Sequence, residues 1–138
     1  MKIKIFFVLF FFFWVVSMPF VAYGNTNKKY FEELKKLAIK ERANKNFIKA
    51  SKLIEEIEKA AEENNWIDLK IDAYNNKGVI YKDLFDYGKA VDCYLSAYEM
   101  ALKQSDKKRE LSILNNIAEA YHLNHEHLKA REIGRAHV

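Results

Sequence analysis

Apolar residues recur at spacings of three and four through most of the chain after residue 25, a pattern typical of helices that bury one face. One such run contains Leu53, Ile54, Ile57 and Ala61. The alternation of apolar and polar positions that marks a half-buried strand is absent, and no proline occurs after residue 25. The sequence therefore predicts an all-α fold from residue 25 onward.

The first 24 residues follow a different pattern, in which a basic start precedes twelve consecutive apolar residues from Ile5 to Val16. Ala22 and Gly24 then stand at the small-residue positions of a cleavage site, so residues 1–24 are predicted to be a signal peptide. An uncleaved membrane anchor is the alternative, because residues 5–23 are about long enough to cross a bilayer. Either interpretation predicts an exported protein, which is periplasmic or anchored facing the periplasm.

The last six residues, IGRAHV, resemble the translation of a widely used sequencing adapter. We therefore expect residues 133–138 to be a non-native tail, and the helical domain to cover residues 25–132. This interpretation makes the chain a fragment of a longer protein. A natural short tail is the alternative.

The helical region repeats itself at an offset of 40 residues. Residues 74–90, YNNKGVIYKDLFDYGKA, align without a gap to residues 114–130, LNNIAEAYHLNHEHLKA, and more weakly to residues 34–50. Small residues form two columns: Ala38, Gly78 and Ala118 in the first, and Ala50, Ala90 and Ala130 in the second. Recurrence at this period is typical of stacked helical repeats.

Each repeat is interpreted as two antiparallel helices whose small residues let the backbones approach closely. Gly78 lies inside a predicted helix, where glycine costs roughly 0.5–1 kcal/mol relative to alanine. We interpret it as a packing residue, and we expect Gly78→Ala to be neutral or stabilising. Asp86 and Asn46 are predicted N-caps of the second helices. The predicted packing residues are Ala38, Ala50, Gly78, Tyr81, Ala90, Tyr94, Ala97, Ala118, Tyr121 and Ala130.

The spacing small–x2–Tyr–x8–Ala, followed by an aromatic residue and a further alanine, resembles the tetratricopeptide repeat. It is carried here by Gly78, Tyr81, Ala90, Tyr94 and Ala97. The resemblance covers roughly residues 30–132 and implies helix pairs stacked as a right-handed solenoid of about 2.5 repeats.

The chain departs from the family pattern at two positions and in its period. Phe85 stands where the family usually has a turn glycine, and Leu102 stands where a proline often closes the unit. The repeat is also longer than the usual period of about 34 residues. Longer repeats of this kind are similar to extracytoplasmic sensor regions of bacterial kinases and regulators.

The resemblance implies a non-catalytic protein–protein interaction module with a protein or peptide partner. In this family the first helices line a concave groove, where asparagines often bond an extended peptide. An open alternative is that the asparagines bridge neighbouring helices and bind nothing. The residues expected to line the groove are Asn75, Asn76, Val79, Lys82, Asn115, Asn116, Glu119 and His122.

Two versions of this function remain open. We expect the N-terminal portion of a larger signalling protein, a sensor kinase or regulator, with a free periplasmic scaffold as the alternative. In either version the open end of the solenoid could support self-association, since a repeat buries its face on the next one.

Charge does not indicate a nucleic-acid partner. The formal net charge is +4, but setting aside Lys2, Lys4 and Arg135 at the two ends leaves 20 basic residues against 19 acidic ones. A net charge this close to zero does not indicate binding to nucleic acid.

Cys93 is the only cysteine, so no internal disulfide forms, and we interpret it as a small buried hydrophobic residue.

No catalytic signature is present: the sequence contains no GxSxG, Walker-type or dinucleotide-binding glycine motif. The strongest cluster for a metal is His122, His125, Glu126 and His127, since imidazoles bind transition metals. This segment aligns with the inter-helix turn of the third repeat, where the histidines would be solvated. We therefore expect no enzyme activity, no metal and no other cofactor.

Overall fold

The computed structural model describes the backbone of residues 27–136 and, within that range, all side chains except that of Glu126 and those of residues 129–136. The predicted signal peptide, the anchor of residues 5–23 and the side chain of Ala130 lie outside the described residues. Contacts divide the chain into one unit that ends at Glu33 and another that begins at Leu34. The described part of the first unit is helical.

Residues 27–136 form five helices and no strand, which confirms the all-α prediction. From α2 to α5, each helix packs against the next one along the chain, as expected for stacked helix pairs. No helix among the described residues is long and apolar enough to cross a membrane. The helices are α1 (27–43), α2 (Phe47–Glu63), α3 (Ile67–Asp83), α4 (Tyr87–Lys103) and α5 (Lys107–Ala136).

The four turns between these helices share one geometry. At the turn between α3 and α4, the amide of Asp86 donates to the carbonyl of Tyr81 at 2.9 Å, and that of Phe85 donates to Lys82 at 3.0 Å. This is the Schellman arrangement, which satisfies the last carbonyls of a helix. The same bonds recur every 20 residues, so each 40-residue repeat consists of two similar halves. The residues with positive φ, between 55° and 64°, are Lys45, Asn65, Phe85 and Ser105.

The predicted N-caps behave differently from each other. The Asp86 carboxylate accepts a hydrogen bond from the amide of Lys89 at 3.2 Å, as expected of a cap. The Lys89 ammonium also bonds this carboxylate and lowers its pKa. Asn46 occupies the N-cap position of α2, but its side chain makes no capping bond there and donates instead to Glu41 at 2.8 Å.

Helices α3 and α4 are in close contact at Gly78. The Tyr94 ring is fully buried, and a Cβ added to Gly78 would lie only 2.5 Å from Cε1 of that ring. The ring therefore occupies the space that a side chain at position 78 would need, which accounts for the glycine inside a helix. Burial also raises the pKa of the Tyr94 hydroxyl. The expectation that Gly78→Ala is neutral does not hold, because an alanine would overlap this ring.

Most of the other predicted packing residues of the first two repeats are also buried. Ala90 and Ala97 lie with Tyr94 on the inner side of α4 and have no exposed surface. Ala38 and Ala50 are buried as well, whereas Tyr81 is half-buried. The small-residue columns of these two repeats thus lie at buried positions of the helix stack.

The third repeat differs from its prediction, because residues 122–127 are helical and α5 continues without a turn to Ala136. Three of the four observed turns end in Asn46, Asp86 or Asp106, which are good N-cap residues. The equivalent position here holds Glu126, a good helix former. Continuing the helix gains one backbone hydrogen bond for each residue added, so the turn is not formed.

The continuous α5 leaves two predicted packing residues exposed. Ala118 is exposed, and Tyr121 keeps 56% of its surface accessible. Their counterparts Gly78 and Tyr81 are covered by α4, which folds back along α3. In the described structure no second helix folds back along α5 in the same way.

We predict that Gly78→Ala lowers the free energy of unfolding by about 1–3 kcal/mol, the usual effect of overpacking a core. Gly88→Ala is the matched control, because nothing lies within 4 Å of a Cβ added there. The control should be neutral or stabilising by up to about 1 kcal/mol. Urea unfolding followed by circular dichroism measures both, and equal stability of the two variants would contradict the packing role of Gly78.

Candidate functional site

The first helices of successive pairs, α1, α3 and α5, are joined by ion pairs into a continuous surface, here called the first-helix face. Lys35 Nζ lies 2.6 Å from Asp72 Oδ2, which links α1 to α3. On its other side, Asp72 Oδ1 accepts a hydrogen bond from Arg109 Nε of α5 at 2.8 Å. Asp72 is only 19% exposed and therefore connects three helices from a sheltered position.

Two further ion pairs join the same helices nearer to the turns. Arg42 Nη1 lies 2.7 Å from Asp83 Oδ2, and Lys82 Nζ lies 2.7 Å from Glu119 Oε2. The paired residues are 41 and 37 positions apart along the chain, close to the 40-residue offset of the repeat. Equivalent parts of successive first helices therefore face each other, and their charges neutralise one another.

The asparagines singled out by the sequence make bonds within the protein. Asn116 Nδ2 donates to Asn75 Oδ1 at 2.9 Å, so these two side chains bridge α5 and α3. Asn76 Nδ2 donates to the backbone carbonyl of Asp72 at 2.7 Å, one turn back on its own helix. Only the Asn116–Asn75 bond bridges two helices, whereas the bond of Asn76 stays within α3.

The other residues expected to line the groove are distributed over the same face. Lys82 and Glu119 form the ion pair described above, and Val79 is partly buried against the core. Asn115 and His122 are exposed on α5. The structure thus brings Lys82 and Glu119 together at one end of the first-helix face.

A cavity opens at that end and is here called the turn-end groove. Its volume is about 630 Å³. It combines both ion pairs near the turns with aromatic and aliphatic side chains, so it offers apolar surface between neutralised charges. The lining residues are Arg42, Ala43, Lys45, Phe47, Lys82, Asp83, Phe85, Tyr87, Glu119 and Leu123.

Phe85 is the most unusual residue of the turn-end groove. It has a φ of 64°, and its side chain is 70% exposed. The left-handed conformation costs roughly 1–2 kcal/mol for a residue other than glycine. The ring stands edge-on to Tyr87, with centroids 6.4 Å apart. An exposed aromatic ring held in an unfavourable backbone conformation beside a cavity is a candidate functional residue.

The sequence pattern does not predict that Phe47, Phe85, Tyr87 and Leu123 line a site. Two signals were available. Phe85 replaces the usual turn glycine, and Phe47 and Tyr87 occupy the same column of the 40-residue repeat. His127 continues that column, and its ring lies 6.0 Å from that of Tyr87 between centroids.

The described residues contain no group of three His, Cys, Asp or Glu side chains placed to hold a metal ion. His122 and His125 are three apart on α5, which is helical here, contrary to the predicted turn. Cys93 is partly buried on α4, and burial raises the pKa of its thiol.

We predict that Asp72→Ala lowers the free energy of unfolding by about 1–3 kcal/mol, because it leaves the sheltered cations of Lys35 and Arg109 without this carboxylate. Glu63→Ala is the matched control, since Glu63 and Lys59 are well exposed and their charged atoms lie 4.0 Å apart. The control should change stability by less than about 0.5 kcal/mol. Equal urea midpoints for the two variants would show that the ion pairs of Asp72 do not stabilise the stacking.

Comparison with known families agrees with this architecture. A family model described as Tetratricopeptide repeat matches residues 69–137, which is half of the chain. No curated protein and no solved structure matches the chain. The matched region begins in α3 and includes the Gly78–Tyr94 contact, the Phe85 turn and all of α5. The chain belongs to the tetratricopeptide repeat family.

Proposed function

We propose that this protein is a non-catalytic interaction module that binds a peptide segment of a partner protein in the turn-end groove. Tetratricopeptide repeats generally mediate protein–protein interaction, which supports the class of function. The choice of site rests on Phe85, which lines the groove. Its backbone has a positive φ and its ring is exposed.

The groove favours a mostly apolar ligand side chain. Phe85 and Leu123 both line the cavity and provide apolar surface, one from a turn and the other from α5. An aromatic or aliphatic anchor inserted between them would lose its water shell, as interface hot spots do. The ion pairs of Arg42 with Asp83 and of Lys82 with Glu119 line the same cavity and could exchange bonds with a peptide backbone.

The net charge of the groove lining indicates the charge that its peptide ligand carries. The two ion pairs are internally neutral, and Lys45 adds one further positive charge to the lining. We therefore propose a peptide with one large apolar side chain and an acidic residue close to it. Such a ligand would place its carboxylate near Lys45, where complementary charge favours the correct orientation.

We also propose that the protein acts outside the cytoplasm. The apolar run from Ile5 to Val16 after a basic start supports export. In one version the repeats are the sensory portion of a larger signalling protein, and in the other they form a free periplasmic scaffold. Reading the intact gene beyond codon 132 separates them: an apolar span followed by a kinase or DNA-binding region selects the sensor, whereas further repeats and a stop select the scaffold.

We predict that Phe85→Gly weakens peptide binding by roughly tenfold or more, the loss expected for an aromatic anchor. The same change should not lower stability, because glycine adopts positive φ without strain. Ser105→Gly is the matched control, since Ser105 has a φ of 55° at the equivalent point of the next turn and does not line the groove. The probe is a peptide selected on the wild-type chain from a random library displayed on phage, and fluorescence polarisation measures its affinity.

Two results would contradict the proposed site. Equal binding by the Phe85→Gly and Ser105→Gly chains would remove Phe85 from it. Loss of binding only in the Asn76→Ala, Asn116→Ala double variant would move the site to the middle of the first-helix face. Failure to select any peptide on the folded chain would count against the interaction function itself.

A further inference from the structure

A stripe of mostly apolar residues runs along α5 and is exposed within the described structure. Its members follow one another at alternating spacings of three and four, the seam pattern of paired helices. The exposed fractions are 65% for Leu111, 56% for Tyr121 and 48% for Leu128. This α5 stripe consists of Leu111, Leu114, Ala118, Tyr121, His125 and Leu128, all of them exposed.

The α5 stripe is distinct from the surface by which α5 packs on α4. Ile113, Ile117 and Ala120 are buried in the core shared with α4. At about 100° per residue, their mean direction lies roughly 90° around the helix from that of the stripe. Helix α5 therefore buries one face on α4 and presents a second apolar face to solvent.

The equivalent positions on α3 indicate that this second face is suited to packing against an antiparallel helix. Ala118 occupies the column of Gly78, which receives the Tyr94 ring from the neighbouring antiparallel helix α4. Helix α5 carries its own tyrosine, Tyr121, three residues after Ala118 on the stripe. Because these two residues lie on the same face of one continuous helix, they cannot cover each other within one chain. A second antiparallel α5 would bring a tyrosine opposite each alanine.

We propose that the α5 stripe is covered by the α5 stripe of a second copy of this chain, in an antiparallel pair. The two-fold axis passes between residues 119 and 120. Leu111 of each copy then faces Leu128 of the other, and Ala118 of each faces Tyr121 of the other. Each contact occurs twice, as required of an interface that uses the same patch on both subunits.

The antiparallel register is selected by the sizes of the stripe residues. A parallel pair would set Tyr121 against Tyr121 and Ala118 against Ala118, which leaves an overpacked layer beside a void. The antiparallel pair places a small residue opposite a large one, as α3 and α4 do at Gly78 and Tyr94. None of the six stripe residues is an Asp, Glu, Lys or Arg, so no like charges meet along the seam.

The first test is sedimentation of the full chain, purified in mild detergent because its first 24 residues are strongly apolar. The wild-type chain is expected to be dimeric, and Leu111→Glu with Leu128→Glu should weaken dimerisation by roughly tenfold or more. The matched control is Leu95→Glu with Leu102→Glu, two leucines of α4 that are 40% and 49% exposed. The control should remain dimeric. A monomeric wild-type chain, or a dimer that both variants leave intact, would overturn the proposal.

The second test fixes the register and does not depend on charged substitutions. In a Cys93→Ala background, chains carrying Leu111→Cys are mixed with chains carrying Leu128→Cys and oxidised. Disulfide-linked heterodimers are expected. Each chain alone should not cross-link, because positions 111 and 128 are about 25 Å apart along a helix. Self-cross-linking of the Leu111→Cys chain would indicate a parallel pair, and absence of any cross-link in the mixture would equally overturn the proposal.

Discussion

The contact between Gly78 and Tyr94 sets the separation of α3 and α4, on which the rest of the helix stacking depends. A buried aromatic ring lies directly on helix backbone, a position that any side chain at residue 78 would obstruct. The destabilising effect of glycine in a helix is thereby offset by close packing of a large ring. The neighbouring small residues Ala90 and Ala97, both fully buried, extend this close approach along α4.

Regular turns and ion pairs keep successive helix pairs in the same relative arrangement. Because Schellman turns recur every 20 residues, the first helices align so that Asp72 can bond both α1 and α5. Most charges on the first-helix face are consequently used within the protein. At the turn end of this face, Phe85 keeps its ring exposed at the cost of backbone strain.

Sequence periodicity was sufficient to predict the helix pairs, because small residues at fixed offsets report directly on where backbones approach. It did not predict the continuous α5. A turn depends on a balance between local capping and the packing of the helix that follows, and Glu126 shifts that balance toward the helix. Alignment of the repeats predicts a turn at residues 125–128 because a turn occurs at residues 85–88. The alignment takes no account of the helix preference of Glu126.

The candidate site was predicted only in part for a related reason. The pairing of Lys82 with Glu119 and of Asn75 with Asn116 depends on the lateral offset between successive repeats, which the sequence does not contain. Side chains that looked available to a ligand therefore proved to bond each other. The departure at Phe85 was visible in the sequence, but its positive φ and exposure became apparent only in the folded chain.

The central claim is that the turn-end groove is the surface by which this protein binds a peptide. Mapping of backbone amide chemical shifts by NMR, during titration with a peptide selected on the folded chain, tests it most directly. The account predicts that the largest shifts fall on Lys45, Lys82, Phe85 and Leu123. Shifts confined to the outward surface of α4, around Leu95 and Leu102, would contradict it.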